Sequence, residues 1–385
     1  MRRILIFSLT YYPRYVSGAE IAIKEITDRI SPLEIEFDMI TLNGAGEPAF
    51  EKIRNISVHR IFGKVGYVQK LMYPFFAFFK ALQLNGKNKY DATWSMMASY
   101  NSFAALFFKL THPKTPFLLT LQEGDPIPQI KRRALPMWPL FKMIFRKADH
   151  IQTISKYLAD WALDMKAKCP ITVVPNAVDF AFFSTRKSDT ELAVLKESLG
   201  KRPDDVFIIT TGRLVVKNAV ADTIDALQYL PANVKFISLG QGFQEKMLKE
   251  KAEKLGLKER VQFLGFIPHK DMPQYLHISD IFIRPSLSEG FGNSYVEAMA
   301  AGIPVIATPV GGIVDFLKDG ETGLFCEVQN PKSIAQKVEK LIKDKESRDY
   351  IIKNAEQMVG EKYEWGKIAG EMKKVLTNST KNATR

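Results

Sequence analysis

Residues 284–302 read RPSLSEGFGNSYVEAMAAG and carry the most informative pattern in the chain. Just before this loop, Ile281–Arg284 has the apolar character of the end of a buried strand. After it, a short helical run stops at Gly302, and Val305–Ala307 predicts the next strand. Glu289 is therefore expected at the carboxyl end of a parallel strand, where open α/β sheets bind ligands.

The loop after Glu289 suits an anionic ligand. Its glycines let the backbone come close to a ligand, and the helix that follows points free N–H groups at that place, as in phosphate sites. A second carboxylate, Glu297, lies on this helix, and seven residues separate it from Glu289. Ser294-x-x-Glu297 is also a capping-box pattern, which needs no ligand. A structural role and a ligand-binding role both stay open for Glu297.

Strands alternate with helical patterns along the whole chain, which predicts the α/β class with a parallel sheet and helices on both faces. A polar, charged stretch at 181–205, broken by Pro203, indicates the join between two Rossmann-like halves, with the linker at 183–205. The predicted strands are 4–7, 37–41, 92–95, 117–120, 171–174, 207–211, 235–239, 261–264, 281–284 and 305–307.

Length and composition are those of a globular protein of two domains. The chain has 385 residues, 46% hydrophobic and 25% charged. Its two cysteines, Cys169 and Cys326, indicate a reducing compartment, and with no Cys or His cluster a structural zinc site is not expected. The apolar run after Met1 ends at Ser8, too short for a signal peptide or a membrane span, so it predicts the first buried strand.

A dehydrogenase is disfavoured. The dinucleotide-binding fingerprint is absent near residue 8, where such an enzyme would carry it. Gly240-Gln241-Gly242 follows a predicted strand, but a lone Gly-x-Gly is explained equally well by a plain strand-to-helix turn.

Positive charge is concentrated in one part of the chain. Residues 60–147 contain 14 Lys/Arg and 3 acidic residues, a net charge of +11, whereas the whole chain carries +12. The same stretch is rich in aromatic residues, which suits the headgroup region of an anionic membrane, although core packing is the alternative for the rings and a solvated face for the charges. No nucleic-acid-binding module is recognisable, so nucleic acid is not expected as a partner. The aromatic residues are Tyr73, Phe75, Phe76, Phe78, Phe79, Phe103, Phe107, Phe108, Trp138, Phe141 and Phe145.

The stretch 284–302 resembles the E-x7-E motif of retaining glycosyltransferases with the GT-B fold, in particular glycosyltransferase family 4 (group 1). The resemblance extends over nearly the whole chain through a series of motifs in order. These are 4–7 with Ser17-Gly18-Ala19-Glu20, then 148–155, Val173-Val174-Pro175-Asn176, Thr211-Gly212-Arg213 through Asn218, Gly311-Gly312, and Asp319-Gly320 with Thr322-Gly323.

The resemblance implies a GT-B architecture, with two Rossmann-like domains whose parallel sheets face each other across a cleft. Residues 1–182 would bind the acceptor and 206–362 the nucleotide-sugar donor. A C-terminal helix at 363–385 would pack back onto the first domain.

The resemblance also implies roles for individual residues. Arg213 and Lys217 would bind the diphosphate, and such fixed cations oppose charge that grows in the transition state. Glu289 would hold the sugar hydroxyls and Glu297 the ribose hydroxyls. The catalytic set would be Glu289, Arg213 and Lys217. The donor-binding set would be Gly18, Arg213, Lys217, Gly290, Phe291, Gly292, Asn293, Ser294 and Glu297.

The chain departs from the family pattern at three places. Gln122 stands where many members have a histidine, and glutamine donates a hydrogen bond but does not shuttle a proton. Gln122, Glu123 and Asp125 are the acceptor-side candidates, and both carboxylates could instead cap the next segment. Asn218-Ala219 replaces the usual Lys-Gly, which leaves Lys217 as the cation there, and Ser17 replaces a glycine.

From these features we expect a retaining hexosyltransferase, cytoplasmic and peripheral to the inner face of the membrane. It would move a sugar from a UDP- or GDP-linked donor to a lipid-linked or polysaccharide acceptor, with no cofactor and, without an Asp-x-Asp motif, no metal. Two alternatives remain, namely a catalytically silent sugar-nucleotide-binding partner in glycan assembly and a sugar-nucleotide epimerase.

Overall fold

The computed structural model describes residues 1–44 and 46–381. The chain divides into two compact units. Unit 1 comprises Met1–Glu123, Ile127–Asn176 and the C-terminal segment from Trp365, and unit 2 comprises Gly124–Pro126 and Ala177–Glu364.

Each unit contains one sheet. The strands of unit 1 follow the order β3-β4-β2-β1-β5-β6-β7-β8, and those of unit 2 the order β11-β10-β9-β12-β13-β14. Every strand pair is parallel except the antiparallel pair of β3 and β4. The strands are β1 (Arg2–Phe7), β2 (Ile35–Leu42), β3 (Phe50–Ile53), β4 (Ile56–Ile61), β5 (Ala92–Met96), β6 (Phe117–Leu121), β7 (His150–Thr153), β8 (Ile171–Val173), β9 (Val206–Thr211), β10 (Val234–Leu239), β11 (Val261–Gly265), β12 (Ile281–Arg284), β13 (Val305–Ala307) and β14 (Leu324–Phe325).

Helices connect the strands. The α-helices are α1 (Gly18–Asp28), α2 (Tyr67–Lys87), α3 (Tyr100–Thr111), α4 (Ile127–Ala134), α5 (Trp138–Lys147), α6 (Lys156–Asp164), α7 (Phe180–Ser184), α8 (Asp189–Ser198), α9 (Val220–Ala226), α10 (Glu245–Lys254), α11 (Met272–His277), α12 (Asn293–Ala300), α13 (Pro331–Lys343), α14 (Lys345–Lys362) and α15 (Trp365–Lys381). Within the described residues, none of these helices is both long and apolar enough to cross a bilayer.

The central strands are buried over most of their length because helices cover both faces of the sheets. In β5, β6 and β12 every residue is buried, the pattern expected of parallel strands. Unit 2 has a continuous apolar core on one face of its sheet, where Ile208, Phe236 and Ile283 are fully buried among residues of α9 and α13. This core fixes the strand ends from which the site is built.

Two segments bear on the predicted domain limits. Helix α15 belongs to unit 1, where Lys373 Nζ lies 2.6 Å from Glu34 Oε1. The last four residues of the predicted C-terminal helix lie outside the described residues. The stretch 183–205, predicted as a linker, contains α8, which begins at a capping box of Ser188 and Glu191 and is part of unit 2.

Candidate functional site

The site in unit 2 forms where two neighbouring strands end. Strands β9 and β12 pair in parallel, so the loops that follow them leave the same edge of the sheet. The loop after β9 carries Arg213 and Lys217, and the loop after β12 carries Glu289. The two loops are joined directly, because the Leu287 amide donates a 2.7 Å hydrogen bond to the Lys217 carbonyl oxygen.

Glu289 is held by a buried arginine that the sequence reasoning missed. Arg284 Nη2 donates to Glu289 Oε2 at 2.7 Å, with only 8% and 12% of the two side chains exposed. The Arg284 guanidinium also lies 4.6 Å from the centre of the Tyr295 ring and donates through Nη1 to the Thr211 carbonyl oxygen at 3.2 Å. The tyrosine hydroxyl in turn donates to the Arg284 carbonyl oxygen at 2.8 Å. The sequence did contain a signal for this role, since Arg284 is a charged residue at the end of the otherwise apolar strand β12.

Lys217 faces Glu289 across a glycine. Lys217 Nζ donates to the Gly124 carbonyl oxygen at 2.7 Å and lies 3.8 Å from Asp125 Oδ1. A Cβ atom at residue 124 would lie 2.6 Å from Lys217 Nζ and 3.4 Å from Glu289 Oε1, so both side chains reach the same small space. Burial lowers the pKa of Lys217, and the carboxylates of Glu289 and Asp125 oppose that effect only in part.

Arg213 is exposed beside this pair. Its backbone is fixed, because Asn218 Nδ2 donates to the Arg213 carbonyl oxygen at 2.7 Å. Gly212 before it has a φ of +135°, which a residue with a side chain rarely adopts. The Asn218 that replaces the family's lysine thus shapes the loop that presents the guanidinium.

Helix α12 begins beside Glu289 without a side-chain cap. Its N-cap is Gly292, at a φ of +96°, and no side chain caps the helix. The capping box that Ser294-x-x-Glu297 could have formed, one of the two roles left open by the sequence, is therefore absent, because Ser294 is already inside the helix. Its Oγ is buried and has no hydrogen-bond partner. An uncapped helix N-terminus with an unsatisfied hydroxyl group suits a phosphate.

Glu297 is the fifth residue of α12, and 15% of its side chain is exposed. Its Oε1 is 3.6 Å from Nε2 of His269, a residue that the sequence reasoning did not single out. The imidazole stacks on Phe182, with ring centres 5.8 Å apart, and contacts Phe183 edge-on. Glu297 therefore has no capping role, and its carboxylate lies next to the His269 ring.

Glycines allow the close approach of two further loops. The Gly312 amide donates to the Glu289 carbonyl oxygen at 3.0 Å, and a Cβ atom at Gly311 would lie only 1.9 Å from that oxygen. In the Gly240-Gln241-Gly242 turn, Cβ atoms at the two glycines would lie 1.9 Å and 2.1 Å from the carbonyl oxygens of Gly212 and Leu214. Packing against the Arg213 loop accounts for these two glycines without a nucleotide contact.

The remaining predicted residues fall in both units. Gly18 is the first residue of α1 in unit 1, after the N-cap Ser17. Gln122 Nε2 donates to Asn176 Oδ1 at 3.2 Å, and Glu123 is buried with its Oε1 accepting the Ala98 amide at 2.5 Å. Glu123 thus holds the loop after β5 through this bond. Asp125 belongs to unit 2, next to Lys217.

The basic, aromatic stretch 60–147 divides between core and surface. Phe141 and Phe145 of α5 are buried and pack near Trp161. Elsewhere in the stretch, Tyr73, Phe103 and Phe108 are also buried. Arg132, Arg133, Arg146 and Lys147 are exposed, and Lys142 Nζ lies 5.1 Å from the centre of the Trp138 ring. In the described part of the chain, no group of three or more His, Cys, Asp or Glu side chains is arranged to hold a metal ion.

Comparisons with known proteins agree with this architecture. Residues 193–358 match the model of the group 1 glycosyl transferases, and residues 16–182 match that of glycosyltransferase family 4. An uncharacterized glycosyltransferase of Methanocaldococcus jannaschii is 27% identical over 96% of this chain and 96% of its own length.

Two solved structures share the fold. HepE of Anabaena, in complex with UDP and glucose, superposes with a TM-score of 0.81 at 20% identity, over 98% of this chain and 100% of that one. Sucrose-phosphate synthase of Thermosynechococcus elongatus superposes with a TM-score of 0.84 at 19% identity, over 98% and 99% of the two chains. The two-domain α/β architecture with parallel sheets is therefore that of the GT-B glycosyltransferases.

Proposed function

Because the chain belongs to the group 1 glycosyltransferases of the GT-B fold, we propose that it transfers a hexose from a nucleoside diphosphate sugar, with retention of configuration. The observation that carries this proposal is the convergence of Lys217 and Glu289 on the space beside Gly124. A cation and a carboxylate held at one strand edge match the two ends of a sugar diphosphate, which are anionic phosphate and neutral hydroxyl groups.

The leaving diphosphate gains negative charge as the glycosidic bond breaks, so the site needs fixed positive charge at that point. Lys217 supplies a partly buried ammonium group, and Arg213 supplies an exposed guanidinium on the same loop. The N-terminus of α12, with the backbone of 290–294, supplies N–H donors. Because burial weakens screening by water, the charge of Lys217 acts more strongly there than on an open surface.

Glu289 is suited to hold sugar hydroxyls. Arg284 occupies its Oε2, while Oε1 lies next to the Gly290 amide at 3.2 Å and close to the space that Lys217 reaches. The arginine holds the carboxylate in one orientation, which is what a positioning contact to a reacting sugar requires. Glu297, with no capping duty, is assigned to the ribose hydroxyls.

Retention is proposed from the family resemblance together with the chemistry of Gln122. A glutamine in the place of the usual histidine cannot take up the proton of the acceptor. A front-face reaction needs no protein base there, since an oxygen of the departing phosphate accepts that proton as the acceptor oxygen bonds to the sugar.

The acceptor is proposed to be lipid-linked or a polysaccharide, met at the cytoplasmic face of an anionic membrane. The exposed Arg132, Arg133, Arg146 and Lys147 of α4 and α5 support this, since each cation near such a surface contributes about 1 kcal/mol of attraction. UDP or GDP is the proposed nucleotide, and HepE, which shares the fold, has UDP in its crystal structure.

The test is incubation with a panel of UDP- and GDP-sugars and a membrane extract, with free nucleotide and sugar product measured. We expect one donor to release nucleotide in an extract-dependent way and Lys217→Ala to lose that release. A product of inverted configuration would contradict retention. A changed sugar still attached to its nucleotide would indicate the epimerase, and donor binding with no turnover would indicate the silent partner.

A further inference from the structure

Helix α2 of unit 1 exposes large apolar side chains along one side. They recur at spacings of one, three and four residues, so they form a continuous row on the helix surface. Between 44% and 74% of each residue is exposed. The row consists of Tyr67, Val68, Leu71, Phe75, Phe76 and Phe79.

This row is additional to the face by which α2 joins the core. Tyr73, Ala77 and Ala81 are fully buried, and the Tyr73 hydroxyl donates to the Ile40 carbonyl oxygen at 2.7 Å. A helix at the surface of a globular protein normally carries polar residues opposite its buried face. The row on α2 breaks that rule, and exposed apolar patches of this kind mark interaction sites.

A groove next to the row continues the apolar surface onto α3. It has a volume of about 370 Å³ and is lined by Phe75, Phe78, Phe79, Phe107, Leu110 and Thr111. The Phe75 and Phe107 rings lie 5.8 Å apart, so the two helices share one aromatic surface. Helix α3 also packs against α5, which carries the exposed Arg146 and Lys147.

The charge around the row decides what can cover it. Residues 52–90 contain eight Lys/Arg and no Asp or Glu, and Lys70, Lys80 and Lys87 lie on α2 itself. A second copy of this chain would bring the same positive charge to the contact and be repelled. An apolar row on a segment that carries cations and no carboxylate is complementary to anionic headgroups above an acyl layer.

We propose that α2 is an interfacial membrane helix, which lies flat on an anionic bilayer with its apolar row among the upper acyl carbons and its lysines at the headgroups. The Phe75–Phe107 groove would take acyl carbon from the same lipids. This inference extends the membrane part of the proposed function, but it does not depend on the transfer reaction.

The experiment is vesicle sedimentation with the full chain, using phosphatidylcholine vesicles with and without phosphatidylglycerol. The variant Phe76→Ser/Phe79→Ser removes two exposed rings. Its matched control, Val194→Ser/Tyr350→Ser, removes two apolar side chains that are 62% and 56% exposed in unit 2. The melting temperatures of both variants are measured first, because Phe76 packs against Phe62 with ring centres 4.8 Å apart and binding is compared only between folded proteins.

We expect the wild type and the control to bind the acidic vesicles alike and the Phe76/Phe79 variant to bind at least about tenfold more weakly. Binding should fall with added salt, because the screening length is only about 8 Å at physiological ionic strength. Equal binding of the two variants would overturn the proposal. So would a dimer in sedimentation velocity that is lost in the Phe76/Phe79 variant while vesicle binding is kept.

A further variant, Lys131→Glu/Arg132→Glu/Arg133→Glu, separates this inference from the earlier one. If it alone released the protein from vesicles, α4 would be the membrane contact and the role of α2 would be wrong. The rise in melting temperature that UDP or GDP produces should be unchanged in the Phe76/Phe79 variant. Absence of any such rise in the wild type would contradict the donor site and leave the α2 result standing.

Discussion

At the scale of single residues, the site depends on a pair of opposite charges taken largely out of water. Arg284 and Glu289 are each about nine-tenths buried and joined at 2.7 Å, and the tyrosine ring of Tyr295 covers the guanidinium. Removing one partner of such a pair leaves a buried charge unmatched, which costs more than the pair itself contributes. Glu289 is therefore both a proposed ligand contact and a structural partner, and its two roles must be measured separately.

Glu289→Gln keeps the size of the side chain and removes its charge. We expect transfer to fall on the order of 10²-fold, because one stabilising contact at the reacting centre is lost, while nucleotide affinity survives. The fold should lose about 1–2 kcal/mol, since Arg284 then faces a neutral amide. The control is Glu321→Gln, whose partner Lys318 lies 3.2 Å away at the surface, where an ion pair contributes little. Unchanged turnover in Glu289→Gln would refute its assigned role.

The lowered pKa of Lys217 predicts that donor binding weakens at alkaline pH. Burial lowers the pKa of its ammonium group below the ordinary 10.5, so as pH rises Lys217 loses its proton, and its attraction for diphosphate, earlier than an exposed lysine would. Arginine stays charged over this range, so Lys217→Arg should hold its affinity to higher pH. Calorimetric titration with UDP between neutral and alkaline pH measures the difference, and titration of the ligand itself affects both proteins equally. Identical pH profiles would contradict the assignment.

At the scale of elements, the strands most strongly specified by the sequence were predictable. The structure contains strands at all ten predicted positions. Short runs rich in apolar and β-branched residues and bounded by turn residues specify most of them as buried parallel strands, whereas β8, at the edge of its sheet, is only partly buried. Strands β3, β4, β7 and β14 were not predicted. They are short or alternate polar with apolar residues, and β3 pairs only at the edge of its sheet, so tertiary pairing decides them.

The site was predictable in outline and not in its contacts. The positions of Glu289, Lys217 and Arg213 relative to their strands follow from the motifs. The partnership of Arg284 with Glu289 does not, since it depends on how the loop folds back over the strand end. The start of α12 could not be fixed from the sequence for a related reason, because the left-handed conformation of Gly292 places the N-cap two residues before Ser294.

Gly311 offers a test of the loop that supports Glu289. Gly311→Ala would place a Cβ atom 1.9 Å from the Glu289 carbonyl oxygen, whereas Gly320, also at positive φ, has nothing within 4 Å of such an atom. Gly320→Ala should lose only the cost of the left-handed backbone, about 1–2 kcal/mol. Gly311→Ala should lose about 1–3 kcal/mol more, and its activity should fall as Glu289 is displaced. Equal melting temperatures and activities of Gly311→Ala and Gly320→Ala would show that the close approach of residue 311 to the Glu289 carbonyl oxygen is not needed.

At the scale of the whole molecule, the two units divide the predicted residues unequally. Unit 2 holds Arg213, Lys217, Glu289, Glu297 and the start of α12 around one strand edge, so the proposed donor contacts can be assessed within that unit. Unit 1 holds Gly18 and Gln122, together with the basic and apolar surfaces of α2, α4 and α5. Binding of the nucleotide and binding of the membrane are accordingly separate properties that separate variants should remove.

The most direct measurement of the central claim is the melting temperature of the full chain with UDP, GDP or ADP. A ligand that binds only the folded state stabilises it by about 2.7 kcal/mol when present at roughly 100 times its dissociation constant. We expect one of these nucleotides to give a shift of that size and Arg213→Ala to lose most of it, because the exposed guanidinium is proposed to bind the diphosphate. A wild-type protein whose melting temperature none of the three nucleotides moves would contradict the donor site.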